Sequence, residues 1–571
     1  MTRIDRQMLG AYAAKQCPFR LFRENDPTEP AVAAEPDEAL QELFDDGITF
    51  EADIVAELVE QFGANVCEVP ARGAASHDER RAITDTALAA GTPIILGALM
   101  QPDVDAGRLG EIDLLLASGD VMPSGAAVYL AIDVKSHRCT SNLGDGDDPI
   151  GPVHDLNLLA PAVIPGLSPK YREDDCLQLA HYHRLLQAHG HSPADDPSVP
   201  IYGGILGSER VVAWFDLGTP RFGTVTPLVA EGADGTANIS FHKRQRSTAR
   251  TALDRYDYEF AFRHRIVAAA RARVDRATPP PVLPVSTKEC ERCPWRDPCR
   301  SDLEAADDVS LVNGVNYPEW RVHRHVGVTT ATDLAALTPG EIEDRYADTP
   351  LTKKTVTKQV QHAQAAVAGH PIVTPSWDPA AIPRGDIEID LDLENADFVY
   401  LWGARLTRVP SSWPEETGTY VPFVSFDPLD AVGERQLVDA LWTWLNELRQ
   451  RAAAEGLDLR VYSYSAIEAT KLRQIGQSSE ISDFLASDQW VDLLPFMRAK
   501  FWTNDGHGLK VMARASGFEW RDEDPGGYAS IGWYNDALGG VDRAANVDRI
   551  LQYNEDDCAA TAALRSPRSS G

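Results

Sequence analysis

DIEIDLDLE, residues 386–394, sets Glu388, Asp390, Asp392 and Glu394 at every second position, interleaved with Ile387, Ile389, Leu391 and Leu393. Successive side chains of a strand point to opposite sheet faces, so this spacing predicts a β-strand with one acidic and one apolar face. An acidic edge strand has the same pattern. FVYLWGARL, residues 398–406, reads as the next strand of a hairpin. Much later, LQYNEDDCAATAALR, 551–565, sets Tyr553 and Asp557 four apart, on one face of a predicted helix. Between them VYSYSAIEATKL, 461–472, offers Glu468.

Working outward, 571 residues exceed what one hydrophobic core accommodates, so two or three domains are expected. An apolar content of 43% suits globular folding. No basic leader with an apolar h-region is read, nor an apolar run able to cross a bilayer, and the expected location is the cytoplasm. The formal charge of -32 argues against a protein that coats nucleic acid by bulk attraction, so DNA contact must be local and metal-assisted. Acidic clusters such as Asp103 with Asp105, and Asp145 with Asp147 and Asp148, read as solvated surface.

The first half carries a second constellation. VYLAIDVKS, 128–136, reads as a buried strand ending in Asp133 and Lys135, two positions apart and therefore on one face. GEIDLLL, 110–116, is another apolar run with Asp113 at its start, and two such strands can bring Asp113 and Asp133 around a hard divalent cation, magnesium or manganese. In such a site Lys135 stabilises the developing oxyanion or orients water. QLAHY, 178–182, lies downstream on a predicted helix with Gln178 and Tyr182 on one face.

Cysteines frame this region: Cys17 in QCPFRLF, then Cys290, Cys293 and Cys299 in CERCPWRDPC. Eight cysteines in so long a chain do not make a disulfide-dense domain, and their clustering favours thiolate metal ligation. Soft thiolates select iron–sulfur or zinc, and spacing leaves both open. Cys67, Cys139, Cys176 and Cys558 read as small buried thiols. Thr278-Pro279-Pro280-Pro281 is a stiff extended lead into the cysteine-rich segment.

From about 305 to 370 the pattern turns helical and short. LVNGV, 311–315, and HVGVTTATDLAAL, 325–337, with Gly327 between valines and a cap before Asp333, suit a helix-hairpin-helix unit or a helical spacer. PIVTPSWDPAAIP, 371–383, is a candidate linker, and SPRSSG, 566–571, a polar tail.

Asp113, Asp133, Lys135, Gln178 and Tyr182 together resemble the PD-(D/E)xK nuclease superfamily, in the RecB-like branch that includes the CRISPR-associated exonucleases. That resemblance implies Gln178 and Tyr182 beside the active site and a [4Fe-4S] cluster on Cys17, Cys290, Cys293 and Cys299, with zinc as the alternative. The family's GxxHE helix phrase corresponds to GITFE, 47–51, where Phe50 replaces the metal-binding histidine and Glu51 is the substitute ligand. The C-terminal motifs resemble the DEDDy exonucleases of the ribonuclease H-like fold, in the YprB-like version. Asp392 and Glu394 match the D-x-E pair, Glu468 the second carboxylate position, and Tyr553 with Asp557 the Y-x3-D motif; Ser463 stands where relatives often have histidine.

The order of parts resembles a family of RecB-like nucleases over nearly the whole chain. It implies an α/β protein: a restriction-endonuclease-like core with a four-cysteine clasp over 1–304, a small helical hairpin region over 305–370 and a ribonuclease H-like domain over 384–565. The implied function is a Mg/Mn-dependent DNA nuclease acting on single-stranded ends or flaps in repair or recombination. RNA is a further candidate substrate, a helicase a candidate partner, and a catalytically degenerate nucleic-acid-binding scaffold the alternative.

Overall fold

The computed structural model describes residues 8–29, 38–144, 146, 148–220, 228–231, 237–240, 250–522 and 527–565. Asp145, Asp147 and the tail 566–571 lie outside the described residues. The chain divides into two compact units: 1–311 with 316–328 and 343–353, and 312–315 with 329–342 and 354–571.

The first unit has helices α1 (Pro18–Asn25), α2 (Glu38–Phe62), α3 (His77–Ala90), α4 (Glu173–Ala188), α5 (Ala252–Arg271) and α6 (Arg296–Ala305). Its main sheet contains β1 (Val66–Glu68), β2 (Ile94–Leu99), β3 (Glu111–Val121), β4 (Ala127–Val134), β5 (Val153–His154), β6 (Tyr202–Leu206) and β7 (Val212–Asp216). Their order is β1-β2-β3-β4-β6-β7-β5. Strands β2, β3 and β4 form an antiparallel meander, whereas β4 and β6 run parallel. A parallel pair needs a crossover, and α4 lies within the chain that makes it.

Strict alternation gives this sheet two apolar faces. Ile95, Leu115 and Ala131 join Leu179 and Leu185 of α4 and Tyr256 and Phe260 of α5. Ile94, Leu114, Leu116 and Ile132 pack with Ile54 and Leu58 of α2. Each fully buried leucine or isoleucine contributes about 1.5–3 kcal/mol, so helices on both sides are held firmly and α4 is fixed above the end of β4.

The second unit has β8 (Ile387–Asn395), β9 (Val399–Arg408), β10 (Tyr420–Val424), β11 (Leu459–Ser463) and β12 (Trp490–Asp492), in the order β10-β9-β8-β11-β12. The first three are antiparallel, and β11 and β12 continue parallel to β8. Helices α7 (Ala431–Glu455), α8 (Ile467–Gly476), α9 (Leu509–Ala515), α10 (Gly527–Leu538) and α11 (Arg543–Ala563) accompany them. The acidic strand is therefore β8, in the middle of the sheet and not at an edge. Ile387, Ile389 and Leu391 pack with Val438, Leu441 and Leu445 of α7, while α11 lies against β8 and β9.

Three expectations change. Residues 371–383 are not a free linker: Ile372–Val373 pairs antiparallel with Phe501–Trp502, and Ile382 is buried in the second unit's core, joined by Trp377. Its apolar residues find partners that its prolines conceal. The segment 305–370 does form short helices, 317–325, 331–335, 339–345 and 353–368, with Thr330 and Asp333 making a capping box, but it contributes residues to both units. Asp103 is not solvated surface, because it is buried and pairs with Arg108 at 2.8 Å.

Candidate active sites

In the first unit the register pairing Leu114 with Ile132 sets Asp113 beside Asp133 on adjacent strands. Asp113 Oδ2 accepts from the Val134 amide at 2.8 Å. Asp133 is fully buried and forms an ion pair with Lys135, two residues along. From α4, Gln178 Nε2 donates to Asp133 Oδ1 at 2.8 Å, and the Tyr182 hydroxyl donates to the same oxygen at 3.4 Å. Gln178 Oε1 accepts from Lys135 Nζ at 3.4 Å. All five residues singled out in this half thus form one connected group.

Burial pushes the Asp113 carboxyl well above the usual range, and the charges of Asp133 and then Glu51 push it further. Glu51, on α2, is exposed, and its carboxyl is raised by burial first and then by the charges of Glu111 and Asp133. Glu111 is already committed to Arg80 and, at 2.9 Å, to Arg72. Phe50 packs against the core between α2 and the sheet, so that helix position serves burial.

Cys17 caps α1, Cys290 lies in the turn Lys288–Arg292, Cys293 follows it, and Cys299 is on α6. All four line one cavity, with Val285 and Trp295. Burial pushes the Cys17 thiol up to about 11 and Cys299 up to about 12, the other cysteines of the cavity adding to the latter. Cys139, Cys176 and Cys558 are buried elsewhere and Cys67 is half-buried.

In the second unit Asp392 and Glu394 of β8 and Asp557 of α11 offer oxygens that all lie within 4.8 Å of one another. Neutral donors aim each carboxylate: Asn554 Nδ2 donates to Asp392 at 2.8 Å, Ser530 Oγ to Glu394 at 2.7 Å, and Trp520 Nε1 to Asp557 at 2.7 Å. Burial, followed by the Asp557 charge, pushes Glu394 up to about 8. Burial pushes Asp557 up to about 6 and Asp392 well above the carboxylate range. Lys510 lies 5.1 Å from the Tyr553 ring centre, and its charge partly offsets the shifts of Glu394 and Asp557. Tyr553 is hydrogen-bonded to Asp557 and is itself raised by burial.

Glu468, at the start of α8, is buried, pushed up to about 8 by burial, and acts electrostatically on Asp392. Its Oε2 has no hydrogen-bond partner. Ser463 ends β11 and donates to the Ser465 carbonyl at 3.2 Å.

The other two carboxylates of the acidic strand are spent differently. Arg565 forms a two-pronged ion pair with Asp390, one prong at 2.7 Å, and stacks 3.6 Å from the centre of the Tyr462 ring. Glu388 pairs with Arg384 at 2.6 Å and lies 3.7 Å from Arg565. Internal cations therefore neutralise one end of β8, leaving Asp392 and Glu394 crowded with Asp557 at the other.

The RNase H superfamily model matches residues 423–567. The C-terminal unit carries an RNase H-like domain. No curated protein and no solved structure matches the chain. The matched stretch includes Glu468, Tyr553 and Asp557 but begins after β8, so Asp392 and Glu394 join the RNase H-like site through strand geometry. Asn554 and Ser530 had escaped sequence reasoning; Asn554 follows Tyr553 on α11 and is buried like it, whereas Ser530 and Trp520 come from segments without a motif. In the first unit Lys15 was missed likewise. Its Nζ donates to Gln178 Oε1 at 2.8 Å.

Proposed function

We propose that this chain is a metal-dependent nuclease that hydrolyses phosphodiester bonds in DNA, on single-stranded ends or flaps, with catalytic groups in both units. The observation that carries the reading is the convergence of Asp392, Glu394 and Asp557 in the RNase H-like domain. Hard oxygen ligands suit Mg2+ or Mn2+, which these three residues would hold. The ion, when bound, supplies charge neutralisation at the scissile phosphate and water activation. Asn554, Ser530 and Trp520 fix the carboxylates so that their oxygens are aimed in advance. Tyr553, beside Asp557, orients the attacking water, and Glu468 contributes a further carboxylate facing Asp392.

In the first unit Asp113 and Asp133 hold the cation in a restriction-endonuclease-like core, with Glu51 as a further ligand. Lys135 stabilises the charge that develops on the phosphate, and Gln178 and Tyr182 keep Asp133 and Lys135 in register. Cys17, Cys290, Cys293 and Cys299 would hold a [4Fe-4S] cluster, with zinc as the alternative, tying α1 to α6. Their convergence on one cavity supports this reading.

The test uses anaerobically purified protein with Mn2+ on end-labelled single-stranded DNA and RNA. Cleavage removed by Lys135→Ala assigns the chemistry to the first unit, and cleavage removed by Asp557→Ala assigns it to the RNase H-like domain. Binding of both nucleic acids without cleavage would overturn the proposal in favour of a scaffold.

A further inference from the structure

We propose that Lys15 is a further positioning residue of the first unit's nuclease site, and that the four-cysteine site holds it there. This rests on the nuclease reading of Asp113, Asp133 and Lys135. Three consecutive residues are each held by a different partner. Lys15 Nζ donates to Gln178 Oε1 at 2.8 Å. The Gln16 carbonyl accepts from Arg263 Nε and Nη2 on α5 at 3.1 and 2.9 Å. The Cys17 amide donates to Glu289 Oε2 at 2.5 Å, one residue before Cys290. Glu289 also receives Arg20 Nη1 at 3.0 Å, closing α1 onto the cysteine-rich segment.

The chemical consequence lies in the amide of Gln178. Its nitrogen donates to Asp133, and its oxygen receives both Lys15 and, at a longer 3.4 Å, Lys135. An amide has one donor end and one acceptor end, so a cation on the oxygen fixes which end faces Asp133. With Lys15 withdrawn, Gln178 Oε1 keeps only the longer contact to Lys135, which must also serve Asp133 and the substrate phosphate. Lys15 thus frees Lys135 for the phosphate by taking over the glutamine. Because Cys17 is two residues away, ordering of the thiol cavity sets how firmly Lys15 is presented.

Two measurements on the full chain test this. In the first, Lys15→Met, Lys15→Arg and Lys135→Ala are compared with wild type for kcat and KM on single-stranded DNA with Mn2+, all in an Asp557→Ala background. Lys15→Met is expected to lower kcat about 10-fold or more with KM unchanged, the range for removing a residue that orients a site, and Lys15→Arg to restore most of it. Equal kcat in Lys15→Met and the parent, or no recovery in Lys15→Arg, would overturn the positioning role.

In the second, modification of Lys15 by an amine-reactive reagent is quantified by peptide mass spectrometry in anaerobic wild type, in wild type stripped with oxidant and chelator, and in Cys299→Ser. Lys15 is expected to be protected in the first and modified several-fold faster in the other two. Equal rates in all three overturn the link to the cysteines. Absence of cleavage in the parent, or cleavage that survives Lys135→Ala, defeats the nuclease reading instead, and the modification rates still decide whether the cysteines hold Lys15.

Discussion

Burial pushes the carboxyls of Glu394 and Glu468 up to about 8 and that of Asp557 up to about 6, against 4.5 for an ordinary glutamate and 3.8 for an aspartate. These three groups therefore hold more protons in the folded than in the unfolded chain between roughly pH 4 and pH 8, and their contribution to unfolding free energy falls as pH rises through that window. Metal-free protein is expected to show a lower Tm near pH 8 than near pH 6, with Mn2+ raising Tm more at the higher pH; a Tm that climbs over that range speaks against the crowded carboxylates. Asn554→Ala removes the donor that aims Asp392 and is expected to weaken Mn2+ binding about 10- to 100-fold, read by metal titration. At the opposite end of the strand, Arg565→Met leaves Asp390 buried without its counter-charge. Breaking a buried pair on one side costs about 3–5 kcal/mol, measurable by denaturant unfolding, and a loss under about 1 kcal/mol would show that buried Asp390 does not depend on this counter-charge.

At the scale of elements, the alternation of DIEIDLDLE revealed β8, but not which of its carboxylates are available. That distinction depends on Arg565, which the fold brings back from 175 positions away, and no local pattern announces it. The neighbouring strand carries a related constraint: a Cβ on Gly403 would overlap the Asn554 carboxamide and stand 2.8 Å from the Tyr420 ring. Gly403 is where α11 comes close enough to β9 for Asn554 to reach Asp392. Gly403→Ala is expected to lower both Tm and Mn2+ affinity; full retention of both would mean that α11 can shift without disturbing the site. In the first unit, D-x-K spacing and the i, i+4 pair on α4 were legible because each lies within one element. Lys15 was not, because an irregular segment delivers it. The prolines of 371–383 misdirected the reading, since proline marks a break in hydrogen bonding and says nothing about burial of the Ile382 and Trp377 nearby.

For the molecule as a whole, division into two units could be anticipated from length, and each unit has its own sheet and apolar core. The chemistry should divide accordingly. Lys135→Ala is expected to leave Mn2+-induced stabilisation of the RNase H-like domain intact, checked by thermal unfolding of the full chain; its loss would show that the two sites are coupled. A net charge of -32 keeps long-range attraction for phosphate low, so under the proposed reading neutralisation near a scissile phosphate would fall to a few placed cations and to a bound metal. Among the described residues no helix is long and apolar enough to cross a membrane.

The pairing of Asp390 with Arg565 also orders events during synthesis. β8 leaves the ribosome with four carboxylates; Arg384, which pairs with Glu388, precedes them, but Arg565, which pairs with Asp390, follows α11, the helix that carries Asp557. A nascent chain with every strand of this sheet made thus still lacks the third carboxylate, and Asp392 and Glu394 wait for α11 to fold back onto β8. The three carboxylates cannot come together until the chain has been made through α11.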